Sequence, residues 1–150
     1  MNDDKKVVSL DQKRMEAFWG KPISVYTRAM ALSDGVLVDL TEKAKLYGFK
    51  IPFACTEAVW MTLAWSEAIE ERKLDATGQC TEGRVHDLMV LARMAANGAA
   101  QAGSSVAEFD TLLVPIEGTG IYAKPERFRL VVSGGDDGEP VLTLMLPGED

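Results

Sequence analysis

The sequence predicts an α+β domain in which a small, largely antiparallel sheet packs against two long helices. Three observations predict it. Apolar residues recur at helical spacing through "EAVWMTLAWSEAIEERKL" (57–74) and again through "EGRVHDLMVLARMAANG" (82–98). The final third changes to the period of strands, with "RFRLVV" and "VLTLMLP" flanking the turn "SGGDDGEP". Between residues 23 and 48, short β-branched runs alternate with capped helical turns.

Residues 1–22 read as a polar arm with one helical stretch, "LDQKRMEAFW", which Asp11 caps and Gly20 and Pro22 end. A single α+β domain then runs over 23–150. It opens on a strand, "ISVY", from Ile23 to Tyr26. "TRAMAL" follows as a compact helix capped by Thr27 and ended near Asp34-Gly35, where glycine accepts the left-handed conformation. "VLVDL", Val36 to Leu40, has the composition of a mostly buried strand. Thr41 caps a two-turn helix, "EKAKLY", which Gly48 stops.

In the first long helix, Val59, Leu63 and Ile69 fall at helical intervals, and Trp60 and Trp65 point to different sides. One tryptophan is expected in the core, the other against a neighbour or water. "LDATGQCTEG" is a loop, after which Thr81 caps the second long helix. Its stripe is Val85, Leu88, Met89, Ala92 and Ala95, and Gly98 ends it. "FDTLLVPI" is a strand whose end Pro115 turns into an edge or bulge.

A chain of 150 residues, 47% hydrophobic and 26% charged, has the composition of one globular domain. No apolar run approaches the roughly 20 residues a membrane helix requires, and the first residues lack a signal-peptide core, so a cytoplasmic location is expected. The net charge of −7 argues against phosphate-backbone binding. After Arg129 there is no Lys or Arg, while Asp136, Asp137, Glu139, Glu149 and Asp150 add five negatives. The ordinary reading is a solvated hairpin tip and tail; the functional one is contact with an electropositive partner.

Candidate chemistry is sparse. His86 is the only histidine, which excludes sites needing two, and Cys55 and Cys80 lack CxxC spacing. Both cysteines are expected to be reduced, though a disulfide between them is an open alternative. No GxSxG, phosphate loop or calcium-loop pattern occurs, so no metal or other cofactor is expected. One enzymatic reading remains. Tyr26, Thr27 and Arg28 before a helix and a DG turn are similar to the opening of ADP-ribosyltransferases, in which such residues grip a nucleotide; Tyr122 and Glu126 would then complete the site.

"ISVYTRAMALSDGVLVDLTEKAKLYGFKIPFACTEAVW", "GRVHDLMVLARMA" and "DDGEPVLTLMLPGED" together resemble a family of uncharacterised proteins of phages, plasmids and integrated elements. That resemblance implies a mobile-element accessory protein of the bacterial cytoplasm and brings no catalytic residues. Such proteins often bind host machinery, including restriction and CRISPR complexes. The leading expectation is therefore protein–protein binding to a host or element-encoded complex, with anti-CRISPR or antirestriction action. Arg28, Asp34, Trp60, Trp65, Asp136, Asp137 and Glu139 are the candidate contact residues. A nucleotide-using enzyme and a structural homodimer are the alternatives.

Overall fold

The computed structural model describes residues 26–149. The polar arm 1–22 and the strand residues 23–25 lie outside them; Tyr26 itself is not in a strand. The elements are α1 (Arg28–Asp34), β1 (Leu37–Asp39), α2 (Thr41–Lys45), β2 (Phe53–Thr56), α3 (Glu57–Leu63), α4 (Glu67–Arg72), α5 (Thr81–Gln101), β3 (Val106–Leu113), β4 (Lys124–Gly134) and β5 (Pro140–Met145). The fold is α+β, with one five-stranded sheet in the order β1-β2-β5-β4-β3. Three of its neighbouring pairs are antiparallel; β2 and β5 run parallel.

Among the described residues only one long helix, α5, covers the sheet, where two were expected. The run from Glu57 to Leu74 divides into α3 and α4 because Ala64 turns to an extended ψ of 120°. The break is held on both sides. Arg84 takes the carbonyls of Thr62 and Leu63 at the end of α3, and Thr81 Oγ1 accepts from Trp65 N at 2.9 Å. Ser66 then restarts the helix by accepting from Ile69 N at 3.2 Å.

Other boundaries also move. Thr81 is occupied by Trp65, so Cys80 becomes the N-cap of α5, with Sγ accepting from Gly83 N. Gly98 does not end α5, which continues to Gln101 because Ala96 and Ala99 still pack on the core. Thr41 is the first residue of α2 rather than its cap; Asp39 accepts from its backbone N and hydroxyl at 2.9 and 2.6 Å. Strand β2 was not expected. Its "FACT" is buried through Phe53, Ala54 and Cys55 and sits between β1 and β5. The expected Thr27 cap and Gly35 terminus of α1 are both present, Gly35 with a φ of 79°.

The main core lies between α5 and one sheet face. Val85, Leu88, Met89 and Ala92 of α5 meet Phe53, Cys55, Phe109, Phe128, Leu130, Leu142 and Leu144. Strand alternation sends Thr143 and Met145 of β5 and Val131 of β4 to the other face. α1 packs over that second face.

Candidate functional site

The first candidate residues meet at a corner between α1 and the β4–β5 hairpin. Thr27 Oγ1 accepts from Met30 N at 3.1 Å, so the hydroxyl is committed to the cap. Arg28 reaches across to β5, donating from Nη1 to Thr143 Oγ1 at 2.7 Å and from Nη2 to Leu142 O at 2.8 Å. Asp136 accepts from the backbone N of Arg28 at 2.7 Å and of Ala29 at 3.0 Å. Those two N–H bonds, Ala29 first, hold its carboxyl below the ordinary range. Burial lowers the Arg28 guanidinium, opposed by Asp136, Asp39 and Glu139.

Arg28 and Asp34 therefore do not pair. Asp34 accepts instead from the Tyr26 hydroxyl at 2.8 Å, which raises the phenol. In the hairpin tip, Glu139 Oε1 accepts from Asp137 N at 3.2 Å. Arg28 and Asp136 are thus brought together, Asp137 and Glu139 stand beside them, and Asp34 faces Tyr26.

Trp60 and Trp65 lie elsewhere, and neither is exposed. Trp60 packs against the core. Trp65 lies under the Arg84 guanidinium, 4.8 Å from its ring centroid, and donates Nε1–H to Glu70 at 3.1 Å. Glu70 also accepts from the Thr77 hydroxyl and the Gly78 and Thr77 amides, which together depress its carboxyl. The exposed Phe, Tyr or Trp rings among the described residues are Tyr26 and Tyr122.

Beside the α1 corner, the second sheet face opens into a groove of about 770 Å³. Tyr26 and Val36 line it near α1, Thr143 and Met145 on β5, and Glu57 and Glu149 at its carboxylate side. Glu149 Oε2 is folded back onto Thr56 Oγ1 and Leu146 N, each at 2.8 Å. The polar groups of this lining are hydroxyls and carboxylates, which recognise by hydrogen bonding and negative potential.

Two further cations are buried and were not expected. Arg84, 1% exposed, donates to Leu63 O, Thr62 O, Val114 O and Gln79 Oε1. Lys73 donates from Nζ to the carbonyls of Glu117 and Gly120. Burial lowers both pKa values. Arg72 also binds the carbonyls of Ile116 and Gly118, so three cations fasten the loop after β3. Arg84 had a readable signal: it stands four residues before Leu88, on the buried face of α5. Lys73 had none.

His86 is exposed, with Nδ1 and the Tyr47 hydroxyl 2.7 Å apart. Among the described residues, no three His, Cys, Asp or Glu side chains gather as metal ligands, and no helix is long and apolar enough to cross a membrane. Cys55 is buried and its thiol pushed up to about 12 by burial; Cys80 is exposed, and both are free. The nucleotide grip assigned to Tyr26, Thr27 and Arg28 meets a geometry in which each side chain already has an internal partner.

Comparison with curated proteins and with solved structures gives no match. A family model described as a family of unknown function (DUF6573) matches residues 15–150, and on that coverage the chain belongs to this family.

Proposed function

We propose that this protein is an accessory factor of bacterial mobile elements that works in the cytoplasm by binding a host or element-encoded protein complex, and that its effect is to block a CRISPR or restriction system. The observation that carries the binding reading is the 770 Å³ groove between α1 and the second sheet face, with Tyr26 and Val36 about half exposed beside it. Exposed apolar surface joined to a concave wall is characteristic of a binding site. The net charge of −7 favours an electropositive partner and speeds its approach.

The test is affinity purification with mass spectrometry from the bacterial host, comparing the native chain with Val36→Asp. Val36 is 47% exposed and lines the groove, so the substitution leaves the core intact. Recovery of a stoichiometric defence complex that Val36→Asp loses is the expected result. Recovery of the chain alone, or of a complex indifferent to Val36→Asp, would overturn the proposal.

A further inference from the structure

The far edge of the sheet carries a second surface, which stands independently of what the groove at α1 receives. β3 is an edge strand of eight residues, and its pairing with β4 fixes which backbone groups look outward. Val132 N donates to Ser105 O at 2.9 Å, which makes these residues a hydrogen-bonded pair. Such pairs alternate along an antiparallel ladder, so Ala107, Phe109, Thr111 and Leu113 bond to β4. The N–H and C=O of Val106, Glu108, Asp110 and Leu112 therefore point to the open side.

The Ser104 hydroxyl closes the first of these sets, accepting from Val106 N at 3.2 Å and donating to Val106 O at 2.9 Å. Past Val106, no hydrogen bond among the described residues engages the outward backbone of Glu108, Asp110 or Leu112. Natural edges are usually blunted by Lys, Pro, a bulge or shortness. β3 keeps unbroken register with β4 over Val106 to Leu113 and contains neither Lys nor Pro.

Beside this edge lies a groove of about 450 Å³ between α5, which lines it with Val90 and Leu91 beside His86 and Asp87, and β3, which lines it with Asp110, Thr111 and Leu112. Leu112 is 62% exposed and Val90 39% exposed. Thr111 is 1% exposed, and its buried Oγ1 has no hydrogen-bond partner among the described residues. An added strand would send alternate side chains to two surfaces: one set toward Val90 and Leu91, the other beside Glu108 and Asp110.

The charges disfavour a second copy in the two registers that overlap β3 most fully. A second copy pairing antiparallel about Phe109 would set Glu108 against Asp110, and pairing about Asp110 would set that carboxylate against its twin. Like charges directly opposite are destabilising. On the β4 side Arg129 stands opposite Glu108, and Arg127 binds Asp110 through one bond to each oxygen, so each of those oxygens keeps a further lone pair. We infer that the open edge of β3 receives an extended strand of a partner protein in which lysine or arginine alternates with apolar residues. Main-chain bonds supply affinity in this mode, and the alternate side chains supply selectivity.

The experiment uses the full chain and a capped peptide of about seven residues alternating valine with lysine, followed by amide hydrogen exchange and titration. The amides of Glu108, Asp110 and Leu112 should gain protection, and a valine–glutamate peptide should bind at least about tenfold more weakly. Glu108→Pro removes one outward N–H and leaves the β4 ladder whole, a position where edge strands tolerate proline. It should weaken the valine–lysine peptide about fivefold or more, as should Val90→Glu, which places a carboxylate in the apolar wall without touching the strand. Equal binding of both peptides, or unchanged binding to both variants, would overturn the inference. So would protection of those three amides in the free monomer, or a dimer formed through β3.

Discussion

The Asp136 carboxylate meets the backbone N of Arg28 at 2.7 Å across 108 positions of sequence, so the tip of the β4–β5 hairpin closes helix α1. With Ala29 N at 3.0 Å on the other oxygen, it satisfies two of the amides that a helix start leaves without partners. The same corner anchors the Arg28 guanidinium on β5. An acidic tip that looks like free surface in the sequence is, at Asp136, part of the scaffold.

Asp136→Ala should therefore lower the denaturant midpoint near neutral pH. The folded carboxyl lies below its unfolded value of about 3.9, so its stabilisation is present above that value and is lost as pH falls through the folded one. The midpoints of the two proteins should converge in acid. A difference that persists or grows on acidification would contradict this.

Arg84 is a buried cation held by neutral acceptors. Arg84→Ala strands the buried carbonyls of Leu63 and Val114, each costing about 1–3 kcal/mol. A loss of about 3 kcal/mol or more in urea unfolding is expected. Arg84→Lys should recover only part of it, because one ammonium cannot reach acceptors that a planar fork spans.

The two cysteines should separate cleanly on alkylation. Cys80 is exposed at the start of α5, whereas Cys55 is buried with its thiol pushed up to about 12. Mass spectrometry after mild treatment with iodoacetamide should find modification at Cys80 alone, and at Cys55 only once denaturant unfolds the chain. Early labelling of Cys55 would show that the β1–β2 layer opens readily.

Thr111→Val removes a buried hydroxyl that has no partner among the described residues, and keeps its shape. The exchange should be neutral or raise stability by up to about 1 kcal/mol, measured by thermal unfolding. Destabilisation would mean that the hydroxyl is satisfied.

Much of the local structure was legible because its causes lie a few residues apart. Thr27 caps α1 three residues on, Gly35 ends it, and the alternation from Arg127 onward makes a hairpin, although β4 itself begins at Lys124. β2 was not, because "FACT" is too short to show a period and is buried at three consecutive residues. The candidate site was partly legible. Arg28 and Asp136 both stood among the candidate contact residues, but nothing local shows that the hairpin tip reaches the start of α1.

The sequence by itself determined the class of fold, the helix α5, the β4–β5 hairpin and the caps of α1, since each follows from spacing and neighbouring side chains. Tertiary structure alone decided that residues 57–74 break in two, that Lys73 goes inside and which carbonyls Arg84 meets there, and that β2 lies parallel to β5. The reason is distance along the chain: Arg84 finds its carbonyl acceptors 21, 22 and 30 positions away, and Lys73 finds its own 44 and 47 away. A buried polar group goes wherever the folded chain supplies its hydrogen bonds, and residue order does not reveal which distant carbonyls those are.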